Sequence, residues 1–148
     1  MSQTLAEIIT LAVIAQGTGF LLFIAFVVQK VMNGMDELQF KHFMTTLDGR
    51  AEKSVYAIAI SVLPLIIAIP YYIAYGFNHW WFTAGMIVWF LASLSGKILN
   101  IPVYRWIEKP ENKDPELLRH KRQQLQVANY IRGGLNIVSV VLIIVQLA

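Results

Sequence analysis

The chain contains no cysteine. That excludes disulfide scaffolds, thiolate metal sites and any dithiol redox relay within it. Charge is also scarce: 14% of the 148 residues are Asp, Glu, Lys or Arg, where a soluble domain carries about a quarter. The scarcity is concentrated. Residues 54–96 hold no charged side chain, a run of 43 positions interrupted only by Gly76-Phe77-Asn78-His79. One bilayer crossing needs roughly 20 apolar residues, so the run predicts two spanning helices joined by a tight turn. Histidine is rare too. His42, His79 and His120 all lie outside the predicted spans, and no two have ligand spacing on one helix, so no metal site and no bis-histidine haem is predicted. Haem with a single ligand from His42 or His79 stays open, and the cofactor is otherwise unassigned. There is no internal repeat and no low-complexity stretch.

What is present is apolar: 57% hydrophobic residues and a mean hydropathy of +0.56. The expected fold is all-α, an integral membrane four-helix bundle forming one domain over residues 1–148. Its spans fall at about 5–31, 55–75, 80–99 and 127–147. Met1-Ser2-Gln3-Thr4 lacks a basic n-region, and the apolar segment after it is longer than a signal h-region, so a retained helix is expected. Pro64 and Pro70 predict a kink in the second span, since each removes a helix donor. The third is expected to stop at Asn100-Ile101-Pro102, because proline disfavours helix at the residue before it. Only 16 residues follow Arg132, ~24 Å of helix, so the fourth must begin near Val127 and draw Arg132 inward. Asp114-Pro115-Glu116 supplies a cap, a first-turn proline and a first-turn acid. These predict one helix from a cytoplasmic extension into the last span.

All 12 Lys and Arg residues fall at positions 30–53 or 97–132. By the positive-inside rule the segments 30–53 and 97–126 are cytoplasmic and both termini lie outside, as expected in a bacterial inner membrane. The pI of about 9.3 is therefore assigned to anionic lipid, and no nucleic acid is predicted as a partner. Tyr71, Tyr72, Tyr75, Trp80 and Trp81 predict an aromatic belt at the outer interface. Met35 to Asp48 reads as a short helix along the cytoplasmic surface, and Lys109 to Asp114 as a solvated loop. Glu7, near the outer interface, reads as solvated. Small residues on several spans leave room for a homo-oligomer.

Chemistry concentrates on the fourth span. Asn129, Arg132, Asn136 and Ser139 recur at spacings of three, four and three, one face of a helix, and Ser93, Gly96 or Lys97, and Asn100 form a matching stripe on the third. Polar groups in hydrocarbon need partners, so both stripes are expected to face the interior or a wet cavity. Three readings of Arg132 stand side by side: it snorkels to headgroups, it holds an anionic or enolate-like ligand oxygen, or it caps carbonyls freed near Pro102, starting with Ile98. The Phe20, Phe23 and Phe26 group reads as packing.

Asn100-Ile101-Pro102-Val103-Tyr104, then Asn129-Tyr130-Ile131-Arg132 entering the last helix, resemble the anthrone-oxygenase-like family of small four-span membrane proteins. Val31-Met32-Asn33-Gly34-Met35, followed by Phe40, Phe43 and Met44, resembles that family's segment after the first helix. Asn33 stands where relatives often have proline. Leu125 and Gln126 stand where they commonly have tryptophan. The resemblance implies an oxidoreductase or oxygenase acting on a hydrophobic aromatic small molecule between the third and fourth helices. Asn100, Asn129 and Arg132 would carry the catalytic role, with Asn136, Tyr104 and Arg105 binding the ligand. The alternative is a non-enzymatic ligand-binding, transport or assembly subunit.

Overall fold

The structure, a computed structural model, describes residues 2–148. The described residues form helices and no strand. Four helices are long and apolar enough to cross a membrane: Gln3–Asn33, Val55–Tyr75, Trp80–Glu108 and Pro115–Leu147. A shorter helix, Glu37–Ala51, connects the first two. Gln3, Leu147 and the 76–79 turn lie at one end of the bundle, and the Lys- and Arg-rich segments lie at the other, the basic end.

Local sequence sets most boundaries. The short helix opens with a capping box: Asp36 accepts from the Gln39 amide at 2.8 Å, and Gln39 accepts from the Asp36 amide at 3.3 Å, which satisfies two otherwise orphaned donors. Ser54 caps the second long helix, which runs through both Pro64 and Pro70 and ends at Gly76. Gly76 sits at φ +67°, where only glycine is free of strain. Asp114 accepts from the amides of Glu116 and Leu117, and Pro115 opens the fourth long helix, which is continuous to Leu147.

The third long helix departs from expectation. Its first helical stretch ends at Leu99, as expected, but after a turn at Asn100 a second stretch, Ile101–Glu108, follows at once and carries the span on through Pro102. Asn100 keeps right-handed helical geometry; its amide donates to the Gly96 carbonyl and its own carbonyl accepts from the Tyr104 amide. Pro102 removes one donor, and that loss is offset by burying Val103 and Ile107 against Met32, Phe40, Met44 and Leu125. The same cluster explains the short helix. Its apolar face, Phe40 and Met44, is spent on protein at the basic end, not left bare along a surface.

A second core lies nearer the termini, where Ala6, Ile14, Ala68, Tyr71, Phe82, Met86, Trp89 and Ile143 pack together. Tyr71 is therefore an interior residue, 3% exposed, and drops out of the expected belt; Trp80 and Trp81 remain exposed. The third and fourth long helices make the closest pair. Ser139 Oγ donates to the Gly85 carbonyl at 2.8 Å, an approach that only the missing side chain of Gly85 allows. The second long helix packs chiefly on the first. Outward faces are apolar, with Ile8, Phe23, Ile66, Ile73, Phe90 and Val138 all exposed. So extensive an apolar surface is uncommon on a soluble monomer.

Candidate functional site

Between the two cores the helices part around a cavity of about 220 Å³. Gly17, Phe20, Leu21 and Ile24 line it from the first long helix, Ala57, Ile60 and Ser61 from the second, and Trp89, Ala92, Ser93 and Tyr104 from the third. Arg132 and Asn136 come from the fourth, and Asp48 and Ala51 from the short helix. A neighbouring cavity of about 200 Å³ shares Phe20, Ile24, Asp48, Ala51 and Tyr104 with it and adds Asn129. The wall is mostly hydrocarbon, with polar groups from Asp48, Ser61, Ser93, Tyr104, Arg132 and Asn136, the usual make-up of a small-molecule pocket. The first long helix widens into one π-helical turn at Ile24–Val28 beside both cavities, a distortion that recurs at functional sites.

The polar groups differ in how many of their hydrogen bonds are already used. Ser61 and Ser93 donate to carbonyls of their own helices. Asn136 Nδ2 donates to the Arg132 carbonyl at 2.9 Å, leaving its side-chain oxygen to accept. Tyr104 accepts from Asn100 Nδ2 at 3.2 Å, so its own O–H proton is left for another acceptor. Arg132 Nε is buried without a partner. Its guanidinium rests against Gly96, where an added Cβ would stand 2.6 Å from Nε and 2.7 Å from Cζ.

Asp48 supplies the opposite charge. Burial, then the nearby Glu108 and Glu52 carboxylates, raises its pKa to about 6. No ion pair joins Asp48 to Arg132; the ion pairs among the described residues are Glu7–His79 and Arg119–Glu37. The cavity thus holds a carboxylate that changes charge near neutral pH, a guanidinium and a phenol, none of them neutralising another. Such a set can remove a proton from a ligand and stabilise the oxyanion that forms.

Of the residues expected to form the site, Arg132, Asn136 and Tyr104 meet in this cavity. Asn129 lines its neighbour. Asn100 is 1% exposed and lines neither; it donates to Asn129 Oδ1 at 3.1 Å as well as to Tyr104, so it orients both. Its Oδ1 is buried without a partner. Arg105 points away from the group and is exposed. The cavity is walled by all four long helices and the short one, a wider construction than the expected cleft between the third and fourth. The carbonyl-capping reading of Arg132 finds no hydrogen bond among the described residues.

Two acids were missed. Asp48 follows Phe40 and Met44 at intervals of four, which puts it on the buried face of the short helix. An acid at the end of an apolar stripe was the available signal. Glu7 is corrected outright: it is 1% exposed, not solvated. Its Oε1 accepts from Tyr71 Oη at 2.5 Å and lies 2.6 Å from His79 Nδ1, while Gln3 Nε2 donates to Tyr71 Oη at 3.1 Å. Glu7, Thr10, Ile14 and Thr18 repeat at helical spacing on the buried face of the first long helix. Thr10 and Thr18 donate to carbonyls of that helix, and Ile14, Met86, Trp89 and Ile143 fill the space between the Glu7 cluster and the cavity. The two polar groups are separate.

Among the described residues, no group of three or more His, Cys, Asp or Glu side chains has the arrangement to hold a metal ion. No family model, curated protein or solved structure matches the chain.

Proposed function

We propose that the chain is an integral membrane protein that binds a small aromatic molecule bearing a hydroxyl or an enolisable carbonyl and promotes its oxidation, as an anthrone-oxygenase-like oxidoreductase would. The observation that carries this reading is the placement of Asp48, Tyr104 and Arg132 around one mostly apolar cavity, with no ion pair joining the Asp48 carboxylate to the Arg132 guanidinium. Asp48 takes a proton from the carbon next to the carbonyl system. Arg132 and the Tyr104 hydroxyl receive the enolate oxygen, and Asn100 holds the Tyr104 hydroxyl in place. Molecular oxygen is the oxidant. The CH2 carbon becomes a carbonyl with one oxygen atom of O2, and the other oxygen atom leaves as water, so atoms and electrons balance without a further reductant.

The charge distribution supports an orientation with the basic end in the cytoplasm and both termini outside. The absence of native cysteine makes this simple to check. Single cysteines introduced at Asn78 and Lys113 should label from opposite sides of sealed cells. Labelling of both from one side would overturn the four-span reading.

For the reaction, the purified protein should consume oxygen with an anthrone-type substrate. Arg132→Ala and Asp48→Asn should each reduce the rate roughly 100-fold or more, the scale of a lost oxyanion donor or general base. No oxygen uptake, or rates unchanged by both substitutions, would overturn the enzymatic reading. The second reading is a ligand-binding or transport subunit without chemistry. It draws on the second long helix, which packs chiefly on the first and lines the cavity through Ala57, Ile60 and Ser61. Ligand flux in proteoliposomes without oxygen uptake would favour it.

A further inference from the structure

Ten residues before Arg132 a second arginine of the same helix is also buried. Arg122 is 7% exposed, and Phe40 stacks beneath it with the ring centroid 4.6 Å from Cζ. Its Nη1 donates to the Met35 carbonyl at 3.0 Å. The remaining edge, Nε and Nη2, is buried and has no partner. Those two nitrogens form the fork that matches an oxyanion with two parallel hydrogen bonds. A guanidinium held this dry with its fork empty is costly unless something completes it.

Arg122 lines a recess of about 330 Å³ with Asn33, Met35, Glu37, Arg119, Gln123 and Gln126. Glu37 is the only acid in that lining, and its Oε1 already accepts from Arg119 Nε and Nη2 at 3.2 and 3.1 Å. Two arginines against one glutamate leave one positive charge uncompensated. The amides are held in a chain: Gln29 Nε2 donates to Asn33 Oδ1, Asn33 Nδ2 to Gln126 Oε1, and Gln126 Nε2 to the Tyr130 hydroxyl. Each of these amide groups retains a second N–H. The recess therefore combines a stacked, unpartnered guanidinium, a net positive charge and neutral donors.

From this we infer that the recess is a binding site for one phosphate group, carried by an anionic phospholipid or by a soluble phosphate ester. Asn33 is the last residue of a helix long enough to cross a membrane. If the chain spans a bilayer as proposed above, the recess stands at headgroup level, which favours the lipid as the source. The site does not depend on the oxidation reading, because no residue lining it lines the central cavity.

The test is a titration of the full chain in neutral detergent with short-chain phosphatidylglycerol, and separately with inorganic phosphate, followed by thermal shift and native mass spectrometry. Wild type should bind one phosphate-bearing molecule per chain, saturably. Arg122→Gln should weaken binding roughly tenfold or more, as expected for losing a charge-assisted pair of bonds. Lys113→Gln removes the same charge from the exposed loop at that end and should leave the affinity unchanged. Should Arg122→Gln fail to fold, Gln123→Glu puts an acid on the exposed rim of the recess and should cause the same loss. Tight binding of the lipid alone identifies a headgroup site; equal binding of phosphate identifies a soluble ester. Absence of saturable binding overturns the inference. So does an equal loss in Lys113→Gln, or unchanged affinity in the recess variants.

Discussion

The Arg132 guanidinium lies against the bare backbone of Gly96, so close that a methyl group there would overlap its Nε and Cζ. Gly96 thus sets where the only arginine in the central cavity can rest.

Gly96→Ala and Gly85→Ala should therefore behave differently. At Gly96 the added methyl meets the end of a flexible side chain, which can swing away. Fold stability should stay within about 1 kcal/mol, helped by alanine's helix propensity, while ligand affinity and any turnover fall. At Gly85 the methyl would stand 2.5 Å from Ile143 Cγ1 and 3.1 Å from the Ser139 carbonyl. Backbone cannot step aside, so Gly85→Ala should cost about 1–3 kcal/mol. Denaturation in mixed micelles separates the two; equal destabilisation would contradict the packing described.

Asp48 makes stability and activity respond to pH in opposite senses. Its pKa rises from 3.8 to about 6 on folding. Between those values the folded chain keeps a proton that the unfolded chain has released. Stability should fall as pH climbs from about 4 to 6 and stay lower above that. Asp48→Asn should remove this slope, leaving the variant more stable than wild type well above pH 6 and equal to it near pH 3. Wild-type turnover should rise over the same interval as the carboxylate becomes available as a base. Parallel stability curves for the two proteins would refute the assignment.

The Glu7 cluster predicts an order of effects. Tyr71→Phe deletes a buried hydrogen bond to a carboxylate and should cost about 1.5–3 kcal/mol. His79→Ala should cost less, below about 1 kcal/mol, because the His79 side chain is 34% exposed and water can replace it. Neither should alter ligand affinity in the cavity, which lies beyond Ile14, Met86 and Trp89. Thermal unfolding of both variants tests the order, and a larger loss at His79 would reverse the account of which contact matters.

Much of the helical frame was readable from local chemistry. A charge-free run long enough for two crossings, Ser54 and Asp114 as caps, and Pro115 in a first turn act over a few residues, and a single sequence displays them. The continuation past Pro102 was not readable. It depends on Val103 and Ile107 finding Met32, Phe40 and Leu125, partners up to 75 positions away in the chain. The site divides in the same way. Arg132, Asn136 and Asn129 share a helical face, so their common direction was legible. Asp48 and Glu7 are acids whose burial is decided by what packs over them, and that information belongs to the assembled bundle. Arg105, one position after Tyr104, turns outward for the reason that neighbours on a helix do not share a face.

The most direct test of an oxyanion-stabilising cavity is the ionisation of a bound phenol. A naphthol, small enough for the space and coloured differently as its anion, should be titrated by absorbance with the protein in neutral detergent. With wild type, the naphthol should ionise at a lower pH than in empty micelles, by about one unit or more, the scale of one close opposite charge. Arg132→Gln should return it to the micelle value. A naphthol that ionises at the same pH with and without protein, or equally early with Arg132→Gln, would contradict the claim that Arg132 waits for a ligand's negative oxygen.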